Sequence, residues 1–462
     1  MANDVLVQQL MKDEDSISSL DITRTVLVLS APVVLEMFLQ TMVGFADTAM
    51  VGRLPYGRAA LAGVSLANNV YMFVLTLFTA IGTGSTALVA RSIGAGDHQA
   101  ADRVVVQSLI CGGLLAITVM LVGVLFPDYA LRLMGAEDEA REYGATYLRI
   151  ISWASVPLFC MELLSGCLRG AGDTRTPMCI NSGVNMVNVI LNYLLIYGKF
   201  GFPEMGVAGA ALATSISRVA GAAAMFSLLI SRRLKLTLGR VRDVAVDVPL
   251  IRRILNIGVP AAVEIGLMRG AQLAFARLVA TLGTTAVAAH TIALNCESIS
   301  FMPGFGIGVA GAAMVAQSVG AGRFKLAERF GRESLKIALL CMSALGVVLF
   351  TVPKVLAGVF IQDPEVIALS AVCLRIVAVS QPALATTMTM SNILRTVGDT
   401  RRMLLITMAG FWLIRLPISY VLVMLAGVGL AGAWIGMIAD LFFRGVTTFL
   451  RFRSGAWKSI RV

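Results

Sequence analysis

The sequence predicts an all-α polytopic membrane protein of about twelve transmembrane helices, arranged as two homologous six-helix lobes. Three observations carry this: the composition, the lengths of the apolar runs, and an internal repeat. Of 462 residues, 57% are hydrophobic and only 14% are charged, with a mean hydropathy of +0.83. Soluble domains carry roughly 25% charged residues. A chain this long could not cover a water-facing surface with so few charges, so the bilayer is its solvent.

A helix needs roughly 20 apolar residues to cross about 30 Å of hydrocarbon, and backbone groups in lipid must be satisfied internally. Apolar runs of that kind lie near 22–50, 60–89, 104–126, 145–168, 177–198, 206–230, 254–281, 285–318, 336–360, 366–393, 403–425 and 430–450. The longest polar gap separates an N-lobe, 1–231, from a C-lobe, 254–462, through a linker at 232–253. With the N-terminus inside, 25 of the 38 Lys and Arg fall in cytoplasmic segments and 6 in outer ones. That asymmetry orients the chain with both termini cytoplasmic. The start, Met1 to Asp21, lacks the basic and apolar regions of a signal peptide, so the first run reads as an uncleaved span.

The halves repeat at a nearly constant spacing. Val89-Ala-Arg-Ser-Ile-Gly-Ala-Gly96 matches Val315-Ala-Gln-Ser-Val-Gly-Ala-Gly322, and Leu168-Arg169…Gly172-Asp173-Thr174-Arg175 matches Leu394-Arg395…Gly398-Asp399-Thr400-Arg401, both 226 residues apart. Asn69 matches Asn295 at the same offset, whereas Pro32 and Glu36 match Pro260 and Glu264 at 228. Six spans per half is an even number, so both halves start on one side and the repeat is parallel. Transporters place their sites at such repeat interfaces and move one repeat against the other.

Several function classes fall away. The net charge of +11 comes from Lys and Arg in the gaps between spans, with no nucleic-acid module, so no nucleic acid is expected. Seven cysteines lie in or beside apolar runs without a CxxC pair, and two distant histidines, His98 and His290, exclude a multi-histidine metal site. No HExxH or nucleophile–base pair marks a membrane-embedded enzyme. The chain reads as no enzyme, with no cofactor.

Among intramembrane polar residues Asp47 stands out. A carboxylate at the bilayer centre costs about 2.5–3.5 kcal/mol on insertion scales, which points to a cavity-facing role in exchanging a proton or Na⁺. An ion pair with Arg53, or an interfacial place, is the plainer alternative. Asn188 and Asn192 share one face of the fifth span, and Asn185 extends it. Their amide oxygens suit Na⁺, and hydrogen bonding between helices suits them equally. Glu36 and Glu264, each four residues after a proline, either line a cleft that attracts cationic cargo or pair with arginines of their own half, such as Arg269 or Arg277. Met37, Gln40, Asn69 and Asn295 are further candidates for that cleft. Glu162, Arg218, Glu297, Arg415, Asp440 and Arg444 read as structural pairs or cleft lining. Pro32, Pro157, Pro260, Pro382 and Pro417 interrupt spans, as hinges or as shapers of the bundle.

Leu29-Ser-Ala-Pro32…Glu36…Gly44-Phe-Ala-Asp47-Thr-Ala-Met-Val-Gly52 resembles the opening span of the multidrug and toxic compound extrusion (MATE) family. The paired Gly-Ala-Gly and Leu-Arg loops, Asn188-Val-Ile-Leu-Asn192-Tyr…Tyr197-Gly-Lys-Phe-Gly and Phe301-Met-Pro-Gly-Phe-Gly306 are similar to its NorM-like members. The resemblance covers nearly the whole chain. It implies a monomeric secondary antiporter in the inner membrane of a bacterium. That antiporter exports small organic, hydrophobic cationic compounds by alternating access, driven by inward Na⁺ or H⁺. It also implies a coupling group of Asp47, Asn188, Asn192 and Thr214, with Na⁺ held at Asp47, Asn188 and Asn192. Some relatives carry aspartate where this chain has Asn192, which leaves Na⁺ and H⁺ both open. A C-lobe acid pair of some members meets Leu384 in the tenth span, so coupling is expected in the N-lobe. The intramembrane arginines keep a flippase of lipid-linked precursors, on a related two-lobe fold, as the alternative.

Overall fold

The computed structural model describes residues 18–460 apart from 55, 136, 232, 233, 235 and 238–244. The polar segment before Ser18, much of the expected linker 232–253 and Arg461 lie outside the described residues. Every regular element among the described residues is helical. The chain divides into two compact units: an N unit, Leu35–Gly258, and a C unit, Val259–Val462 together with Met1–Val34. Both divisions fall beside a helix-interior proline, Pro32 and Pro260.

The helices in chain order are α1 (Ser19–Gly52), α2 (Gly57–Gly94), α3 (His98–Leu125), α4 (Pro127–Leu133), α5 (Asp138–Trp153), α6 (Ser155–Gly170), α7 (Arg175–Tyr197) and α8 (Gly206–Ile230). After them come α9 (Val248–Ala280), α10 (Thr284–Gly320), α11 (Phe324–Thr351), α12 (Pro353–Gly358), α13 (Pro364–Val379) and α14 (Gln381–Thr396). A span α15 (Thr400–Leu425) and α16 (Leu430–Arg453) complete the order. Nine of these helices are long and apolar enough to cross a membrane, and the bent pairs α5–α6 and α13–α14 bring the number to eleven. The remaining expected span is α9, whose 33 residues reach about 50 Å at 1.5 Å per residue. Glu264, Arg269 and Arg277 lower its apolar content. The chain is a multi-pass membrane protein.

The repeat is visible in the backbone. The fourth span breaks after Trp153 with a 57° bend and the tenth after Val379 with a 58° bend. The residues at the breaks, Ala154 and Ser380, are 226 apart. Pro157 and Pro382 follow closely; each lacks an N–H and its ring clashes with the carbonyl four residues back, so the helix cannot run straight through. The short helices α4 and α12 both open on proline, at Pro127 and Pro353, also 226 apart. This corrects the expected ninth span at 336–360: its helix ends at Thr351, and α12 is a separate turn. Gly96 and Gly322, at φ +77° and +74°, and Gly172 and Gly398, at φ +86° and +93°, occupy the left-handed region that ends a helix. Asp173 N–H donates to Leu168 O at 2.9 Å and Asp399 N–H to Leu394 O at 2.8 Å, satisfying helix-end carbonyls.

Small residues let backbones approach. In the N unit, a Cβ on Gly258 would run into the Ala80 carbonyl and one on Gly84 into the Ile254 carbonyl, so α9 starts flush against α2. The C unit centres on buried Leu374, Met390, Ile393 and Trp434. Its C-terminal turn is held by Trp457, which is fully buried, stacks on Phe452 at 5.3 Å and donates from Nε1 to Phe452 O at 2.8 Å. Trp412 is 40% exposed in the same unit, and Trp153, at the bend of the N unit, is 61% exposed. In α15 the backbone is π-helical at Ala409–Arg415 and Val421–Leu425. Pro417 has no N–H for the carbonyl of Leu413, and the wider turn absorbs that loss.

Candidate functional site

The N unit gathers the expected coupling residues into one chain of hydrogen bonds. Asp47 stands on α1, Asn188 and Asn192 one turn apart on α7, and Thr214 on α8. Asn192 Nδ2 donates to Asp47 Oδ1 at 2.6 Å and to Asn188 Oδ1 at 3.2 Å, and Asn188 Nδ2 donates to the Thr214 hydroxyl at 3.1 Å. Asn188 and Asn192 are buried, and Asp47 is half-buried. The Asn192 amide oxygen is buried and has no hydrogen-bond partner among the described residues. A buried acceptor without a donor is rare and calls for one. Among the described residues Asp47 has no ion pair within 4 Å; Arg53 is not its partner.

Arg218 stands one turn beyond Thr214 on α8. It donates to the Tyr71 hydroxyl at 2.5 Å, lies 4.8 Å from that ring, and is within electrostatic reach of Asp47 and Glu162. Asn185 is half-buried on the same face of α7.

Glu36 and Glu264 are paired with arginines of their own unit, though not with Arg269 or Arg277. Glu36 accepts from Arg169 at 2.7 Å and from Asn181 at 2.6 Å, both through Oε1. Glu264, 1% exposed, accepts from Arg395 Nη2 at 2.6 Å and Nε at 3.0 Å and from the Thr407 hydroxyl at 2.5 Å. Arg169 and Arg395, and Asn181 and Thr407, are each 226 residues apart, so the same bracket is built twice. The Leu-Arg motifs named the arginines; what they bind lies 133 and 131 residues away and left no local signal. Asn69, Asn295 and Gln40 are exposed and Met37 half-buried, and no hydrogen bond joins them to the Asp47 group. Among the described residues no three His, Cys, Asp or Glu side chains converge as a metal site. Leu384 is buried in α14.

Comparison with known proteins agrees with the doubled architecture. The MatE family model matches residues 32–194 and again 260–421. The chain is 36% identical to the probable multidrug resistance protein NorM of Thermotoga maritima over 95% of its own length and 94% of the relative's. A MATE crystal structure in the straight conformation superposes with a TM-score of 0.87 at 26% identity, covering 98% of this chain and 99% of the other. An outward-facing multidrug resistance MATE transporter of the MOP superfamily superposes with the same TM-score and identity, covering 95% and 97%. Two copies of the family model over most of the chain, together with relatives matched end to end, place this protein in the MatE family of multidrug efflux transporters, which are membrane carriers rather than enzymes.

Proposed function

We propose that the protein is a secondary antiporter that exports small hydrophobic organic cations in exchange for inward Na⁺ or H⁺. The observation that carries this is the Asp47–Asn192–Asn188–Thr214 chain, with its unpartnered buried amide oxygen. A carboxylate, two amide oxygens and a hydroxyl form an all-oxygen donor set, which suits a hard cation. A carboxylate in lipid is costly while charged and unpaired, so a proton or Na⁺ arriving there changes the energy of that state. Facing outward, Asp47 takes up the ion as cargo leaves; the lobes, 1–231 and 254–462, then rearrange and release the ion inside. The chain works as a monomer in the inner membrane of a bacterium, with both termini cytoplasmic.

The pairing of the intramembrane arginines supports cation export over flipping of a lipid-linked pyrophosphate. Arg169 and Arg395 each meet a carboxylate of their own at 2.7 and 2.6 Å, and Arg415 and Arg444 share that of Asp440 at 2.7 and 2.6 Å, so these four are already engaged by acids of the chain.

The test is Asp47→Asn in cells and proteoliposomes. Ethidium efflux is expected to fall to background with membrane levels unchanged, and wild-type efflux should follow either an imposed Na⁺ gradient or an imposed pH gradient. Normal efflux by Asp47→Asn removes the assignment.

A further inference from the structure

The C unit holds a buried charge cluster apart from the Asp47 group. Asp440, fully buried, accepts from Arg415 Nε and Nη2 at 3.0 and 2.7 Å and from Arg444 Nε and Nη2 at 2.6 and 2.8 Å. Both guanidinium groups lie against the Phe411 ring, at 4.2 and 4.6 Å, and Arg415 also faces Phe275 at 5.8 Å. Glu297 and His290 are within electrostatic reach of Arg415. His290 packs against Phe275 and Trp434, 5.6 Å from each ring, and its Nδ1 and the Trp434 Nε1 are buried without partners among the described residues.

The numbering relates this cluster to the Asp47 group. Asp47 corresponds to Phe275 at the offset of 228 that also relates Pro32 to Pro260. Tyr71 corresponds to Glu297 at 226, as Asn69 does to Asn295. Asn188 corresponds to Arg415 at 227, the offset between the ends of the two family matches, 194 and 421; the π-turn supplies the extra residue. Asn192, the amide that meets Asp47, corresponds to Ser419 at the same offset, so the C unit has an aromatic ring at the place of the carboxylate and a guanidinium at the place of Asn188. Gly206-Val-Ala-Gly-Ala210 matches Gly429-Leu-Ala-Gly-Ala433 at 223, which puts Asp440 opposite Ser217. The carboxylate in the C unit is therefore a separate addition, placed to meet Arg415.

We infer that this cluster is a cation pocket whose cation belongs to the chain: the Arg415 guanidinium, at the repeat position of Asn188, fills it permanently, and the C unit exchanges no soluble ion. A buried carboxylate must be neutralised by a partner. A proton or Na⁺ does so reversibly, whereas a guanidinium stays charged and cannot leave. Glu297, within electrostatic reach of Arg415, is the second acidic side chain of the cluster. The consequence for coupling, one ion per cycle through the N unit, rests on the reading of Asp47; the pocket itself does not.

The test removes the tether and offers a free cation. Purified Arg415→Ala is titrated with millimolar guanidinium chloride against NaCl and KCl of equal ionic strength. A saturable, guanidinium-selective rise in melting temperature is expected, roughly 3–6 °C at about ten times Kd. It should be absent in wild type and in Arg415→Ala/Asp440→Asn. A folded Arg415→Ala with no selective response overturns the inference. Should that variant not fold, binding of radiolabelled Na⁺ and proton release decide the matter, with an ion expected in wild type and none in Asp47→Asn. An ion retained by Asp47→Asn and removed by further Asp440→Asn or Glu297→Gln overturns the inference.

Discussion

Glu264→Gln separates the two uses open to that carboxylate, holding a helix bracket or attracting cargo. The side chain is 1% exposed and receives three hydrogen bonds, two of them from the Arg395 guanidinium. Removing one partner of a buried pair costs about 3–5 kcal/mol, because the other charge is left uncompensated. Glu36, its repeat counterpart, receives two bonds through a single oxygen, and its Oε2 has no partner among the described residues. Hydrogen bonds to charged groups contribute about 1.5–3 kcal/mol each, and the Asn181 bond survives in Glu36→Gln, so the loss of one such bond, about 1.5–3 kcal/mol, is expected there. The melting temperature in detergent should fall by roughly 6–20 °C for Glu264→Gln, and clearly less for Glu36→Gln. Glu264→Gln/Arg395→Met should recover much of the loss, since no lone charge is then buried. Heating curves followed by size-exclusion fluorescence give the order. If Glu264→Gln melts like wild type while efflux of an organic cation fails, the bracket account is refuted and the carboxylate serves cargo.

Two further expectations concern the backbone. Gly258→Ala should leave little folded protein, since its Cβ meets the Ala80 carbonyl; overpacking of this kind lies at the top of the about 1–3 kcal/mol range or beyond, and membrane yield measures it. Gly172→Ala and Gly398→Ala should each lose about 1–2 kcal/mol, because both residues sit at positive φ. A proteolysis comparison should show the two losses to be alike, and a neutral outcome at either would mean that the turn there relaxes.

The doubled plan was readable because duplication writes itself in numbering. A nearly constant spacing, 226 at most of the matched motifs, marked the halves, and the structure shows 226 again in bends, short helices and helix-ending glycines. Hydropathy measures the apolar slab a helix crosses, and helix ends lie elsewhere. So α11 begins at Phe324, well before the apolar run expected from 336, because charged turns outside the slab remain helical. For the same reason α12 merged with its neighbour, since nothing polar separates Thr351 from Pro353. The pairing of Asp47 with Asn192 followed from their shared place in a known pattern. The pairing of Glu264 with Arg395 did not, because a partner more than a hundred residues away leaves no periodic trace. The π-turn at Ala409–Arg415 left no mark in the motifs that marked the repeat.

The placement of the indoles has a practical outcome. Trp412, Trp434 and Trp457 all belong to the C unit, two of them fully enclosed, whereas the N unit offers Trp153 alone, largely open to its surroundings. Intrinsic emission is therefore a lopsided gauge: blue-edge intensity tracks the packing of one unit, while quenching by an added solute senses the bend in the other. An optical melting curve without added reporters would largely describe half the molecule, and a dye placed near Leu35–Gly258 is needed to watch the rest.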